Sequence, residues 1–131
     1  MKRKAPVSKD LIIEATRTTL GVEYLYSKGV LRLLGDSYPE NAADFFQPLL
    51  QWVNEYVRVP HEQTTVEFRV KYFNTSSSRY IFQIMEILHV FEAQGNTVQV
   101  VWRSQGQDDD MLETWRELMD ELEMVYTVES E

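Results

Sequence analysis

The chain has 131 residues, a formal net charge of −8 and no cysteine. Its length suits one domain with a real core, and its hydrophobic and charged contents of 44% and 26% sit near globular averages. Disulfide scaffolds, thiolate zinc sites and cysteine nucleophiles are excluded. The acidic balance argues against a nucleic-acid partner, whose phosphates require a Lys/Arg surface.

The charge is unevenly spread. Lys2, Arg3, Lys4 and Lys9 face only Asp10 in residues 1–10, which reads as a basic flexible tail ahead of a domain over 11–131. In residues 104–131, Arg116 alone stands against ten acidic residues. No run approaches the roughly 18 apolar residues of a membrane span, and no apolar segment follows the basic tip as a signal peptide requires. These features point to the cytoplasm and away from a membrane partner.

Leu11–Ala15 is a candidate edge segment. Val22–Tyr26 reads as a strand, Ser27-Lys28-Gly29 as a turn and Val30–Leu34 as the hairpin partner. Ser37 and Glu40 then stand at capping-box spacing, with Pro39 where a first helical turn tolerates it. Ala42, Phe45, Phe46, Leu49, Val53, Tyr56 and Val57 follow at helical spacing, and Pro48 within them predicts a bend or a restart. Thr64–Phe73 alternates, with Val66, Phe68, Val70 and Tyr72 opposite Glu67, Arg69 and Lys71.

A second helix opens at Asn74–Ser78, carries Ile81, Ile84, Met85, Leu88 and Phe91, and ends at Gly95. Val98–Trp102 is a short strand, Asp108–Asp110 opens a third helix, and Val125–Val128 is a final strand. The order β-β-α-β-α-β-α-β predicts an α/β fold: a mixed, mostly parallel sheet of about five strands with three or four helices. Parallel strands ending near Leu34, Phe73 and Arg103 would bring the loops 35–41, 74–78 and 104–110 to one sheet edge, where open α/β sheets usually bind.

Asn74-Thr75-Ser76-Ser77-Ser78 places four hydroxyls at a helix start. Capping needs one such side chain. A phosphoacceptor is the alternative, because free N–H groups and the helix dipole at that position tolerate a phosphate.

The segments Gly35-Asp36-Ser37-Tyr38-Pro39-Glu40-Asn41, Gln51-Trp52-Val53 and Tyr72-Phe73-Asn74-Thr75-Ser76-Ser77 resemble the SiaC family of bacterial regulatory phosphoproteins over about residues 20–128. The resemblance implies a STAS-like domain and a non-enzymatic partner-switching protein without cofactor or metal. A histidine-kinase-like Ser/Thr kinase would phosphorylate it, a PP2C-type phosphatase would reverse this, and the unmodified form would activate a diguanylate cyclase. The family acceptor falls on Thr75, with Ser76, Ser77 and Ser78 as further hydroxyls. Asp36, Ser37, Tyr38, Pro39, Glu40, Asn41, Asn74, Thr75, Ser76 and Ser77 form the expected partner-binding set. An anti-sigma-factor antagonist acting on transcription is the other reading of such a layout. The chain departs from the family in its longer basic N-terminus and in Pro48.

The other polar features read more plainly. Asp108-Asp109-Asp110 suits a solvated loop and a helix start better than a Mg²⁺ site, since consecutive residues rarely converge on one ion. His61 and His89 belong to no catalytic pattern. Trp52, beside the main stripe of the first helix, reads equally as an exposed partner anchor or as a packed residue.

Overall fold

The computed structural model describes residues 9–104 and 110–130. Its elements run β1 (Leu11–Ile13), β2 (Gly21–Leu25), β3 (Val30–Ser37), α1 (Ala42–Tyr56), β4 (Thr64–Phe73), α2 (Thr75–Ala93), β5 (Val98–Ser104), α3 (Asp110–Leu122) and β6 (Thr127–Ser130). The six strands form one sheet in chain order. The candidate edge segment is thus β1, which raises the expected strand number by one. β2 pairs antiparallel with β1 and with β3, and β3 to β6 pair in parallel. No described helix is long and apolar enough to cross a membrane.

The β2–β3 hairpin depends on Gly29, which has φ +64. A Cβ there would stand 2.3 Å from the Gln63 carbonyl oxygen, so the turn and the start of β4 approach too closely for any other residue. Parallel strands that are neighbours in order, joined by crossovers of one hand, carry their helices on one face. Val22, Tyr24, Leu31, Leu33, Val66, Phe68, Val100 and Trp102 accordingly alternate into a core shared with Leu49, Val53, Ile84, Leu88, Trp115 and Met119. Full burial of each such side chain contributes about 1.5–3 kcal/mol.

Lys9 and Asp10, grouped with the tail by charge, are held by the fold. The Lys9 carbonyl accepts from the Trp52 indole N–H at 2.8 Å, and the Asp10 carboxylate from the Tyr26 backbone N–H at 2.9 Å.

One local expectation is corrected, and two that stood open are narrowed. Ser37 caps no helix: β3 runs through it, and Asn41 caps α1 by accepting from the Asp44 N–H at 3.2 Å. The pairing with β4 extends the strand and overrides the capping-box spacing. Pro48 lies within α1 without dividing it. It sits on the exposed side, where water can serve the carbonyl its ring leaves unpaired. Trp52 is 5% exposed and packs on Tyr24 and Tyr56, with ring centroids 5.0 Å away in each case, so it anchors no partner.

Candidate functional site at the β3 and β4 ends

β3 and β4 finish side by side, Ser37 opposite Phe73, and the Asn74 N–H donates to the Ser37 carbonyl at 3.0 Å. Just before, the register jumps from Gly35 opposite Val70 to Asp36 opposite Tyr72. This bulge shifts the alternation, leaving Lys71 and Tyr72 both outward and Phe73 buried. Tyr72 meets Tyr38 from the neighbouring loop edge-on, with ring centroids 6.1 Å apart. The two tyrosines are 43% and 45% exposed, unusual for rings this large.

The four hydroxyls of the 74–78 turn have separate tasks. Asn74 is the cap of α2, its side chain accepting from the Ser77 N–H at 2.9 Å. The Ser78 hydroxyl turns back to the Thr75 carbonyl at 2.7 Å. The Ser77 hydroxyl is fully buried; it donates to the Ser37 carbonyl at 3.2 Å and lies 2.7 Å from the equally buried Ser37 hydroxyl. Two serines 40 positions apart therefore latch the end of β3 to the start of α2. Only Thr75 and Ser76 are exposed. Thr75 occupies the first helical position, where backbone N–H groups lack intrahelical partners.

Of the expected partner-binding residues, Tyr38, Glu40, Asn41, Thr75 and Ser76 are exposed, and Asp36, Pro39 and Asn74 are half-buried. Ser37 and Ser77 are interior and shape the surface from beneath. The third expected loop contributes through α3. Asp108 and Asp109 lie outside the described residues, whereas Asp110 starts the helix and the Met111 thioether accepts from the Phe73 N–H at 3.4 Å. A cleft of about 260 Å³ opens there, lined by Tyr72, Phe73, Thr75, Ser78, Met111 and Thr114 among others.

Neither histidine joins this region. His61 stacks on Tyr56 with centroids 3.7 Å apart and bonds its carbonyl, and His89 sits 3.8 Å from Glu92 one turn on. Among the described residues no group of His, Asp and Glu is placed to hold a metal.

Sequence reasoning missed Tyr72 as a site residue, although its place just before the hydroxyl run was the available signal. It also missed a charge ladder on the sheet face opposite the helices. Glu67 receives Arg32 at 2.5 Å, Arg103 at 2.6 Å and Arg69 at 3.2 Å, and Arg32 and Arg103 continue to Glu23 and Glu129. The ladder spans β2 to β6. Burial pushes the Glu67 carboxyl up, but the hydrogen bonds from Arg32, Arg103 and Arg69 together outweigh it and hold it down at about 2.

Comparison with known proteins gives the family. Residues 13–129 match the SiaC family regulatory phosphoprotein description. The chain belongs to the SiaC family. Apo-SiaC from Pseudomonas aeruginosa is 25% identical, with 92% of this chain and 98% of that chain covered and a TM-score of 0.83. SiaC in complex with the diguanylate cyclase SiaD, which it activates in that organism, superposes with a TM-score of 0.87 at 24% identity, covering 93% and 100% of the two chains. An uncharacterised Pseudomonas aeruginosa protein is 25% identical over 121 residues, 92% of this chain and 96% of the relative.

Proposed function

We propose that this chain is a non-catalytic cytoplasmic switch whose unmodified form binds and activates a diguanylate cyclase, and whose regulatory phosphate is carried by Thr75. One observation supports the site above others: among the expected acceptors, Thr75 is an exposed hydroxyl at the first position of a 19-residue helix, beside an exposed aromatic pair. Ser77, an alternative by sequence, is enclosed by the latch and could meet a kinase only if the turn opened. Ser76 is the exposed alternative.

The mechanism separates folding from binding. A phosphate at the start of α2 finds unpaired N–H groups and the positive end of the helix dipole, so the fold accepts it. A partner covering Thr75 does not, since a charge of about −1.5 to −2 would be buried in the contact without a counter-charge. A loss of about 2.8 kcal/mol is a hundredfold in affinity. A histidine-kinase-like Ser/Thr kinase and a PP2C-type phosphatase would set the state.

The test purifies the diguanylate cyclases of the source cell one at a time. Each is assayed for binding and for cyclic di-GMP synthesis with the unmodified chain and with the chain carrying encoded phosphothreonine at 75. One cyclase should be stimulated by the first form and bound at least tenfold more weakly by the second. Stimulation of none, or equal binding of both forms, would sink the reading.

A further inference from the structure

The cleft at the end of β4 differs in chemistry from the rest of this acidic chain. Among the described residues, every side chain lining its roughly 260 Å³ is neutral. Tyr72, Phe73 and Met111 line it together with the polar Asn74, Thr75, Ser78 and Thr114. A dry cavity of about 150 Å³ already holds a benzene ring, so this volume takes one large side chain. The exposed Tyr38–Tyr72 pair adjoins it, and Met111 supplies a flexible thioether able to fit an irregular guest. Thr75 is both the exposed hydroxyl of the helix start and part of the lining.

We propose that this cleft is the socket for a single uncharged apolar side chain of the cyclase, and that a phosphate on Thr75 closes it. The inference rests on the switch reading above and adds how the partner is gripped. A charged occupant would find no opposite charge among the described lining residues. An aliphatic or aromatic one would exchange water for Tyr72, Phe73 and Met111, as the central anchors of protein interfaces do. The phosphate would then act by occupying the socket with its hydration shell as well as by its charge.

The experiment fills or strips the socket without touching Thr75, using the cyclase that binds the unmodified chain. Thr114→Trp projects a ring into the cleft from a half-buried position on α3, and Tyr72→Ala removes a wall that is already 43% exposed. Each should weaken cyclase binding at least tenfold while thermal melting stays close to wild type. Tyr72→Phe should bind nearly as wild type, as should Gln47→Trp in the remote groove between α1 and α2. Tight binding by both Thr114→Trp and Tyr72→Ala, with phosphothreonine at 75 still blocking, would overturn the socket and leave the switch intact. Equal binding of the phosphorylated and unmodified chains would remove both.

Discussion

The corner at Thr75 and the ladder at Glu67 are two polar regions of this molecule built on different principles. The ladder gathers charges and saturates them. Three guanidinium groups converge on one carboxylate whose side chain is 7% exposed, and further carboxylates occupy the outer sides of Arg32 and Arg103. The corner is built on neutral groups: its interior holds two serine hydroxyls, and the described side chains lining its cleft are neutral. An added charge would join an already saturated network in the first region, whereas at Thr75 it would stand on the surface, with Arg79 one turn further along α2.

Substitutions can break this contrast, and the largest effect belongs to the ladder. Glu67→Leu leaves Arg32, Arg69 and Arg103 clustered around an empty centre, and should destabilise the fold by about 3 kcal/mol, read as a lower urea midpoint at unchanged slope. The same carboxylate sets an acid limb. Its folded pKa of about 2 lies below the ordinary 4.5, so its contribution is complete above pH 4.5 and is lost as pH falls toward 2. Urea midpoints of wild type and Glu67→Leu should therefore converge across that window, and a constant gap would contradict the ladder's ionic character.

The corner yields smaller losses. Ser77→Ala removes both latch hydrogen bonds and strands the buried Ser37 hydroxyl, a cost of about 2 kcal/mol in chemical denaturation. Asn74→Ala deletes the cap of α2 and should cost about 1 kcal/mol. Thr75→Ala sharpens the comparison most while perturbing the fold least. An exposed first-turn hydroxyl should change stability by less than about 0.5 kcal/mol, while phosphate incorporation by the cognate kinase, followed by site-resolved mass spectrometry, should vanish from the 74–78 peptide.

The element order was readable because period and punctuation agree locally. β4 alternates along its length, the α2 stripe recurs at helical spacing, and Gly95 closes that helix with φ +104. Parallel pairing then follows from the crossovers, so the meeting of the β3 and β4 ends was predictable, as was the hydroxyl-rich helix start at Asn74. The resemblance to the SiaC family rested on these two segments and Gln51-Trp52-Val53, and the family match over 13–129 agrees with it.

What failed in the reading depended on contacts between residues far apart in sequence. Ser37 has the spacing of a helix cap, yet pairing opposite Phe73 makes it the last residue of a strand and buries it against Ser77. Trp52 sits off the local stripe, which left its exposure open in the sequence; contacts with Tyr24 and the Lys9 carbonyl 43 positions away decide its burial. The bulge at Lys71 turns Tyr72 outward, against the plain alternation that groups it with Val66, Phe68 and Val70.

The chain by itself determined its elements, their order and the chemistry available at each loop, because propensity, periodicity and capping act over a few residues. The tertiary structure alone decided which hydroxyl faces solvent, which serine lies buried, and that Glu67 is met by arginines from three strands. Those outcomes depend on register across the sheet, which local spacing does not encode.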